Sequence, residues 1–390
     1  MPSAVTCVSL PSLTGLRFVA ASGVFVCHVA TLDAARSAGW PRPALFLLGP
    51  VGVSLFFVLS GFVLTVSARE ADSARSFWRR RLVKIYPNHW VVWLLVMALF
   101  WCVGMPRPGF GVSDGVLALG DMANALLVHT LVPLPSFVLG GNGVAWSLTC
   151  ELLFYLLFPW LLPWVVRIPA RWLTAAAVSV ALAAWTVPLL SLALGGPPLR
   201  QASLPGTVTG AQMLLVYLFP PSRLPEFVLG MILARMHVCG LPVRVGTVPS
   251  AALLCTALFA GIAVLPAPFL LAAVTVVPVA LLVRATAALD LRQRRSVLRM
   301  PVLVLLGELS YAFYLVHATV IATVLRYGGG MLGPATAATV SLMVALAASW
   351  LLYTHVEQPC IRRFATRLPR PSPAVASTPS PHGGELEGRP

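Results

Sequence analysis

The apolar segment near the start of the chain contains an arginine and a histidine eleven residues apart, Arg17 and His28. Eleven residues make about three turns of an α-helix, so both side chains are predicted on one helix face, roughly 16 Å apart along its axis. A segment this apolar is expected to cross a membrane, where an ionisable side chain is costly and usually has a function. His28 is therefore predicted to act as a general base or proton relay. The alternative is a structural histidine bonded to a neighbouring carbonyl.

Ionisable and hydroxyl side chains also interrupt two later apolar segments. Glu151 lies in one, and Ser310, Tyr314 and His317 follow at helical spacing in the other. Residues at i, i+4 and i+7 form one stripe along a helix. Counting from the expected membrane faces places Glu151 and His317 at about the depth of His28. We predict one shared site in which Glu151 or His317 orients the base or stabilises the developing charge. Hydrogen bonds between helices are the alternative role for each.

A basic cluster precedes the third apolar segment, in the run FWRRRLVKIYP. It consists of Arg79, Arg80, Arg81 and Lys84. Arginine binds phosphate with two parallel hydrogen bonds, so the cluster predicts a clamp for an anionic donor that arrives from the cytosol. The usual enrichment of arginine and lysine at the cytoplasmic ends of membrane helices is the other explanation.

Two further charged residues, Arg223 and Glu226, stand at the start of the sixth apolar segment. Residues three apart are neighbours on a helix surface. We predict an ion pair at the level of the membrane surface, with no part in catalysis.

The composition predicts an all-α, polytopic membrane protein surrounded by the lipid bilayer. Of the 390 residues, 58% are hydrophobic and 10% are charged, whereas soluble domains have about 25% charged residues. The net charge of +15 would suggest nucleic acid in a soluble protein, but here the arginines flank apolar segments, so no nucleic-acid partner is expected. The cysteines lack the spacing of a metal site or disulfide framework, so no metal is expected.

The apolar segments predict about ten membrane-spanning helices. They run over residues 13–32, 49–68, 88–104, 144–166, 172–194, 224–239, 249–265, 268–286, 302–325 and 334–355. Basic residues are concentrated in alternate connections, which predicts a multi-pass protein of the cell membrane with both termini in the cytoplasm. Residues 1–365 are predicted to form one transmembrane domain, and the Pro- and Ser-rich residues 366–390 a disordered cytoplasmic tail.

Seven motifs make the chain resemble the acyltransferase type 3 family of integral membrane acyltransferases. They are LTGLRFVAASGVFVCHVA, VSLFFVLSGFVLT, RRLVKIYP, WSLTCELLFYLLFP, RLPEFVLGM, LGELSYAFYLVH and VEQP, in the order of the family, and they cover residues 10–365. The resemblance implies transfer of an acyl group, commonly acetyl, from acyl-CoA to a hydroxyl group. It also implies that Arg17 and His28 are essential. Lys84 stands where the family usually has arginine, and lysine lacks the two-pronged phosphate contact.

The motifs together predict an O-acyltransferase that uses acyl-CoA as a co-substrate and holds no permanent cofactor. The donor phosphates are expected on the basic cluster and Arg17, and Ser310 and Tyr314 are expected to line the donor site. His28 is expected to take the proton of the acceptor hydroxyl, which then attacks the thioester.

The sequence is compatible with several acceptors and with two other classes of protein. The resemblance implies hydroxyl-bearing acceptors such as macrolide antibiotics, lipopolysaccharide, peptidoglycan sugars and envelope polysaccharides. The composition, rich in arginine, alanine and proline, resembles that of GC-rich actinomycete proteins and so favours a macrolide-type acceptor over an envelope or lipid-linked sugar. A transporter or flippase would also place charges within membrane helices, and a non-catalytic membrane sensor would not need His28 beyond folding.

Overall fold

The computed structural model of the chain describes residues 10–32, 42–69, 72–105, 113–199, 206–328 and 331–365. Within these ranges the backbone is almost entirely helical, and the extended pairing found there is a single bridge between Pro198 and Thr209. The predicted disordered tail, residues 366–390, lies outside the described residues. The described part of the chain has the predicted all-α fold.

The helices are numbered in chain order. They are α1 Pro11–Leu32, α2 Arg42–Val66, α3 Ala74–Trp101, α4 Asp114–Ala125, α5 Pro135–Val138, α6 Trp146–Arg167, α7 Leu173–Ser191, α8 Gly210–Met213, α9 Leu224–Val238, α10 Thr247–Val264, α11 Ala267–Leu270, α12 Ala273–Leu291, α13 Pro301–Gly328, α14 Pro334–Leu352 and α15 Gln358–Cys360. The 3₁₀ turns are His129–Leu131, Gly143–Ala145, Ala170–Trp172, Pro220–Arg223 and Val297–Arg299. The π-helical turns are Leu214–Leu218, Tyr353–Glu357 and Ile361–Ala365.

Nine helical stretches of the described residues are long and apolar enough to cross a membrane. They match nine of the predicted spans, and the remaining one, 224–239, corresponds to α9. Because α9 has 15 residues, it rises only about 22 Å, less than the roughly 30 Å apolar core of a bilayer. The chain is a multi-pass helical membrane protein, as predicted.

The long helices divide into central and peripheral ones. In their most apolar stretches, 72% of the α2 residues and 83% of the residues around α12 are buried, against 17% for α7 and 11% for α10. The exposed faces of the peripheral helices carry large apolar side chains such as Leu182 and Phe259. Apolar residues on all sides are typical of helices that face lipid. The central helices therefore position any buried site, and α7 and α10 form part of the lipid-facing surface of the bundle.

Helices α2 and α9 approach each other closely through a pair of glycines. A Cβ atom on Gly61 would lie 2.0 Å from the backbone oxygen of Phe227, and one on Gly230 would lie 2.1 Å from that of Val58. Real Cβ contacts are never this short, so neither position has room for a side chain. Small residues permit such close packing of membrane helices.

We expect Gly230→Ala to destabilise the protein by about 1–3 kcal/mol, the usual cost of inserting a methyl group into a packed interior. Thermal unfolding in detergent measures the effect. Gly115→Ala is the matched control, because a Cβ on Gly115 would meet nothing within 4 Å and alanine favours the helix. An unchanged unfolding midpoint for Gly230→Ala would contradict the close approach of α2 and α9.

Helix α3 begins fourteen residues earlier than the predicted span, at Ala74 in place of residue 88. The side chain of Ser73 caps it by accepting a hydrogen bond from the backbone N–H of Ser76 at 3.2 Å. Serine is a favoured N-cap, and arginine and lysine are good helix formers. A count of apolar residues does not detect this basic first part of α3. In the structure the basic cluster therefore lies within the helix and not before it.

The start of α1 is capped by a carboxylate from α12. Asp290 accepts hydrogen bonds from the backbone N–H of Ser12 at 2.9 Å and from its hydroxyl at 2.6 Å. Carboxylates stabilise helix N-termini because the first N–H groups lack partners within the helix. We call this side of the bundle, where α1 and α3 begin and α2 and α12 end, the basic end.

Candidate active site

A cavity of about 130 Å³ lies between α1, α2, α3, α6 and α13. Its charged lining residues are Arg17, Arg81, Lys84 and Glu151. Its uncharged polar lining residues are Ser60, Ser147, Tyr155, Ser310, Tyr311 and Tyr314. Three cations against one carboxylate give a positive potential, which favours an anionic ligand. We call this the cationic cavity.

The Arg81 guanidinium in this cavity is held by aromatic rings. Its central carbon lies 5.7 Å from the centre of the Phe77 ring and 5.9 Å from that of Tyr155. Such cation–π contacts orient the side chain. The buried Nε of Arg81 has no hydrogen-bond partner among the described residues. Since a buried donor without a partner is costly, this N–H is available to an anionic ligand.

The structure brings one of the three consecutive arginines to the cavity. Arg80 donates to Asp72 through Nη1 at 3.0 Å and also pairs with the second oxygen of that carboxylate, and Arg79 is exposed. Successive helix residues point about 100° apart, so three in a row cannot face one cavity. Arg81 and Lys84, at i and i+3, share a face. Arg79 and Arg80 thus lie outside the cavity that they were predicted to line.

Glu151 faces the cationic cavity and not the histidines. Its Oε2 accepts a hydrogen bond from the hydroxyl of Tyr155 at 2.9 Å, and the positive charges of Arg17 and Lys84 act on it. Tyr155 and Tyr311 line the cavity but were not predicted. The position of Tyr155, four residues after Glu151, was a usable signal because such residues meet on one helix face.

His28 of α1 and His317 of α13 are in contact, although 289 residues separate them in the chain. His28 Nδ1 lies 3.2 Å from His317 Nε2, and the two ring centres are 4.9 Å apart. His317 is buried, with 1% of its surface exposed, and His28 is half-buried. Two of the predicted catalytic residues therefore form one unit.

The partners of the two rings define their tautomers. His317 Nδ1 lies 2.7 Å from the backbone oxygen of Tyr314 and 3.3 Å from that of Phe313. Carbonyl oxygens only accept, so this nitrogen carries the hydrogen. His28 Nδ1 also carries its hydrogen, since it lies 2.9 Å from the backbone oxygen of Val24. This single N–H is shared between the Val24 oxygen and His317 Nε2. Because the hydrogen of the neutral ring is on Nδ1, His28 Nε2 has a lone pair that can accept a proton.

Tyr314 stands between the cationic cavity and the histidine pair. Its ring lines the cavity, and its centre lies 5.6 Å from the centre of the His317 ring. Its hydroxyl accepts a hydrogen bond from Ser147 Oγ at 2.9 Å and donates to the backbone oxygen of Val144 at 3.0 Å. Ser310 lines the same cavity, with its hydroxyl donating to the backbone of its own helix at 2.7 Å. The site has two adjoining parts with this tyrosine between them.

The ion pair of Arg223 and Glu226 is buried, which corrects the prediction of a surface pair. Arg223 is 0% and Glu226 2% exposed, with Nε and Oε2 2.8 Å apart. The guanidinium also donates to Ser54 at 3.1 Å and lies 5.2 Å from the ring centres of Phe57 and Tyr217. The prediction assumed a sixth helix that reaches the membrane surface, whereas the short α9 begins inside the bundle. The pair ties α9 to α2 and does not line the cationic cavity.

A polar cluster under α4 holds the backbone of α13 near the histidine pair. Asn142 donates to the backbone oxygen of Leu315 at 2.9 Å, two residues before His317. Asn124 contacts both the backbone oxygen of Asn142 and Nε2 of His129, each at 3.2 Å. Burial lowers the pKa of His129 to about 3, so this ring is neutral at physiological pH. His129 therefore adds no charge next to the site.

The fold and this arrangement define a polytopic membrane protein with a histidine pair beside a cationic cavity. A family model described as an acyltransferase domain matches residues 10–354. The chain therefore belongs to this family, the acyltransferase type 3 family, and the resemblance of its motifs is confirmed.

Two curated proteins resemble the chain along most of their length, and a third resembles it along part of its length. The chain is 41% identical over 386 residues, 96% of each chain, to "Acyltransferase MdmB" of Streptomyces mycarofaciens. It is 29% identical over 352 residues, 83% of this chain and 92% of the relative, to "Exopolysaccharide production protein ExoZ" of Rhizobium meliloti. It is 30% identical over 160 residues, 38% of this chain and 24% of the relative, to "O-acetyltransferase OatA" of Staphylococcus aureus. No solved structure matches the chain significantly.

Proposed function

We propose that this protein is an O-acyltransferase that moves a short acyl group, such as acetyl, from acyl-CoA to a hydroxyl group of a glycosylated acceptor. The observation that carries the proposal is the position of His28, whose Nε2 keeps a lone pair beside a cationic cavity in a member of an acyltransferase family. Acyl-CoA carries both phosphates, which suit the positive charge of the cavity, and a thioester, which is the group that an activated hydroxyl would attack beside the histidine.

The donor binds from the basic end, which we propose faces the cytoplasm of a cell-membrane protein. Arg17, Arg81 and Lys84 hold its phosphates, since ionised donors make the strongest hydrogen bonds to phosphate. The negative charge of the Glu151 carboxylate compensates part of the positive charge of these three side chains. Ser310 and Tyr314 line the path of the donor toward the histidines, since both line the cationic cavity and the centre of the Tyr314 ring lies 5.6 Å from that of the His317 ring.

His28 Nε2 then removes the proton of the acceptor hydroxyl. The hydroxyl oxygen attacks the thioester carbonyl carbon, a new C–O bond forms and the C–S bond breaks. The proton passes from the imidazolium of His28 to the sulfur of the departing coenzyme A. His317 positions the base, because its Nε2 accepts the hydrogen bond from His28 Nδ1 in the neutral and in the charged state of His28.

We expect His317→Ala to lower kcat about tenfold to a hundredfold, the equivalent of one hydrogen bond to a charged group. His317→Gln is expected to restore part of this loss, because its amide oxygen can accept the same hydrogen bond. The KM for acyl-CoA should change little, since His317 does not line the cationic cavity. Steady-state kinetics in nanodiscs separate kcat from KM.

Equal losses in the alanine and glutamine variants, with a raised KM, would contradict the positioning role of His317. Such a result would show that His317 supports the packing of α1 against α13.

The acceptor that we propose is a macrolide-type glycoside. The actinomycete-like composition supports it, and so does the similarity along nearly the whole chain to an acyltransferase of a Streptomyces. An envelope polysaccharide or lipid-linked sugar is the second candidate, which the similarity to an exopolysaccharide production protein supports.

The test uses purified protein in nanodiscs with radiolabelled acetyl-CoA and a panel of acceptors that includes macrolides and envelope sugars. The proposal predicts label on one acceptor class. Absence of transfer to every acceptor, together with absence of acyl-CoA binding by the folded protein, would overturn it and favour a transport or sensor function.

A further inference from the structure

A second cavity, of about 380 Å³, opens at the basic end of the bundle. It lies between the start of α7, the end of α9, the segment Leu241–Val245 and the last turns of α12. Its walls are mostly apolar, with two arginines, Arg244 and Arg284, and one threonine, Thr174. It shares no lining residue with the cationic cavity.

The two arginines of this second cavity lack an acidic partner. Arg284 Nη2 donates to the backbone oxygens of Leu241 and Pro242 at 3.0 and 3.1 Å, but its buried Nε has no hydrogen-bond partner. Arg244 is exposed. Among the described residues, no carboxylate pairs with either guanidinium. His237, which is close enough for the charge of Arg284 to act on it, adds no negative charge.

The depth of the second cavity along α12 suits a lipid head group. Arg284 stands seven residues before the end of α12, so it lies about 10 Å inside that helix end. The neighbouring α7 and α10 are peripheral helices with few buried residues, so lipid reaches this side of the bundle. A guanidinium at this depth without a counter-charge is costly, and an anion that enters from the bilayer removes that cost.

We propose that this second cavity binds the phosphate-bearing head group of an anionic phospholipid, with Arg244 and Arg284 as the phosphate ligands. Guanidinium groups donate charge-assisted hydrogen bonds to phosphate oxygens, and basic pockets between membrane helices recognise anionic head groups. The apolar side chains of Met236 and Leu281 contact the first carbons of the lipid chains. The site is independent of the proposed acyl transfer, since it shares no residue with that machinery.

Native mass spectrometry of the full chain in a neutral detergent tests the proposal by titration with three probes: phosphatidylglycerol, phosphatidylcholine and inorganic phosphate. Phosphatidylglycerol should bind the wild type in preference to the other two. Arg244→Gln should weaken this binding about tenfold, the loss expected for one charged hydrogen bond, and Arg244→Gln with Arg284→Gln should weaken it further. Arg244→Gln is informative by itself, because this side chain is exposed and makes no hydrogen bond or ion pair with the residues that the structure describes.

Arg295→Gln is the matched control, since Arg295 is an exposed arginine at the same end of the bundle but outside the cavity. It should leave binding unchanged. Equal affinity of Arg244→Gln and wild type for phosphatidylglycerol would overturn the proposal. Equal binding of inorganic phosphate and phosphatidylglycerol would also overturn it, by identifying a free anion as the ligand in place of a lipid.

Discussion

Replacing His28 by alanine is expected to slow acyl transfer by about two to four orders of magnitude, the usual contribution of a general base. In the proposed mechanism, Nε2 of His28 carries the lone pair that takes the acceptor proton. We do not expect His317 to replace it, because His317 is buried, with 1% of its surface exposed. The KM for acyl-CoA should remain close to that of the wild type, since His28 does not line the cationic cavity. Kinetics with labelled acetyl-CoA in nanodiscs give both constants.

His355→Ala is the matched control for this experiment, because His355 is an exposed histidine in the π-helical turn Tyr353–Glu357. It should transfer acyl groups at the wild-type rate. His28→Gln keeps a side chain of similar size and should lose activity as far as His28→Ala, which separates a chemical role from packing. A folded His28→Ala protein with wild-type kcat would exclude His28 as the base.

Replacing Arg81 by glutamine is expected to raise the KM for acyl-CoA about tenfold to a hundredfold. The reason is the loss of one charge-assisted hydrogen bond, worth about 1.5–3 kcal/mol. Arg81 lines the cationic cavity, and its Nε has no partner within the described part of the protein. The kcat should change less than KM, because Arg81 lies away from the histidine pair.

The neighbouring residue supplies the control for the Arg81 prediction. Arg80 has the same chemistry but pairs with Asp72 outside the cavity. Arg80→Gln should therefore leave the KM for acyl-CoA nearly unchanged, and the loss of a half-exposed ion pair should cost at most about 1 kcal/mol of stability. Equal effects of the two substitutions on KM would contradict the assignment of donor phosphates to the cationic cavity.

Local patterns in the sequence were sufficient to predict the class of protein and the helix that carries His28. Apolar segments of membrane length predicted nine helices that the structure contains, because burial in lipid requires long apolar runs with every backbone group bonded within its helix. The spacing of Arg17 and His28 predicted one helix face. In the structure Arg17 lines the cationic cavity near the basic end and His28 lies further along the same helix.

The choice among the clustered arginines required the structure. The run of Arg79, Arg80 and Arg81 shows three equal cations, and their roles depend on how α3 is rotated about its axis. That rotation follows from the cap at Ser73 and from packing against α6, where Trp78 Nε1 donates to the backbone oxygen of Tyr155 at 2.9 Å. A hydropathy count begins this helix at residue 88, after the residues that make both contacts, and so it cannot predict the rotation.

The pairing of His28 with His317 and the burial of Arg223 were decided by tertiary structure. Depth along a helix can be counted from the sequence, but depth alone grouped Glu151 with the histidines. In the structure that carboxylate faces the cationic cavity. Helical periodicity specifies which residues share a face, whereas the neighbour of that face depends on which helices pack together. Here the packing follows from close approaches such as those of Gly61 to Phe227 and of Gly230 to Val58, between residues far apart in the chain.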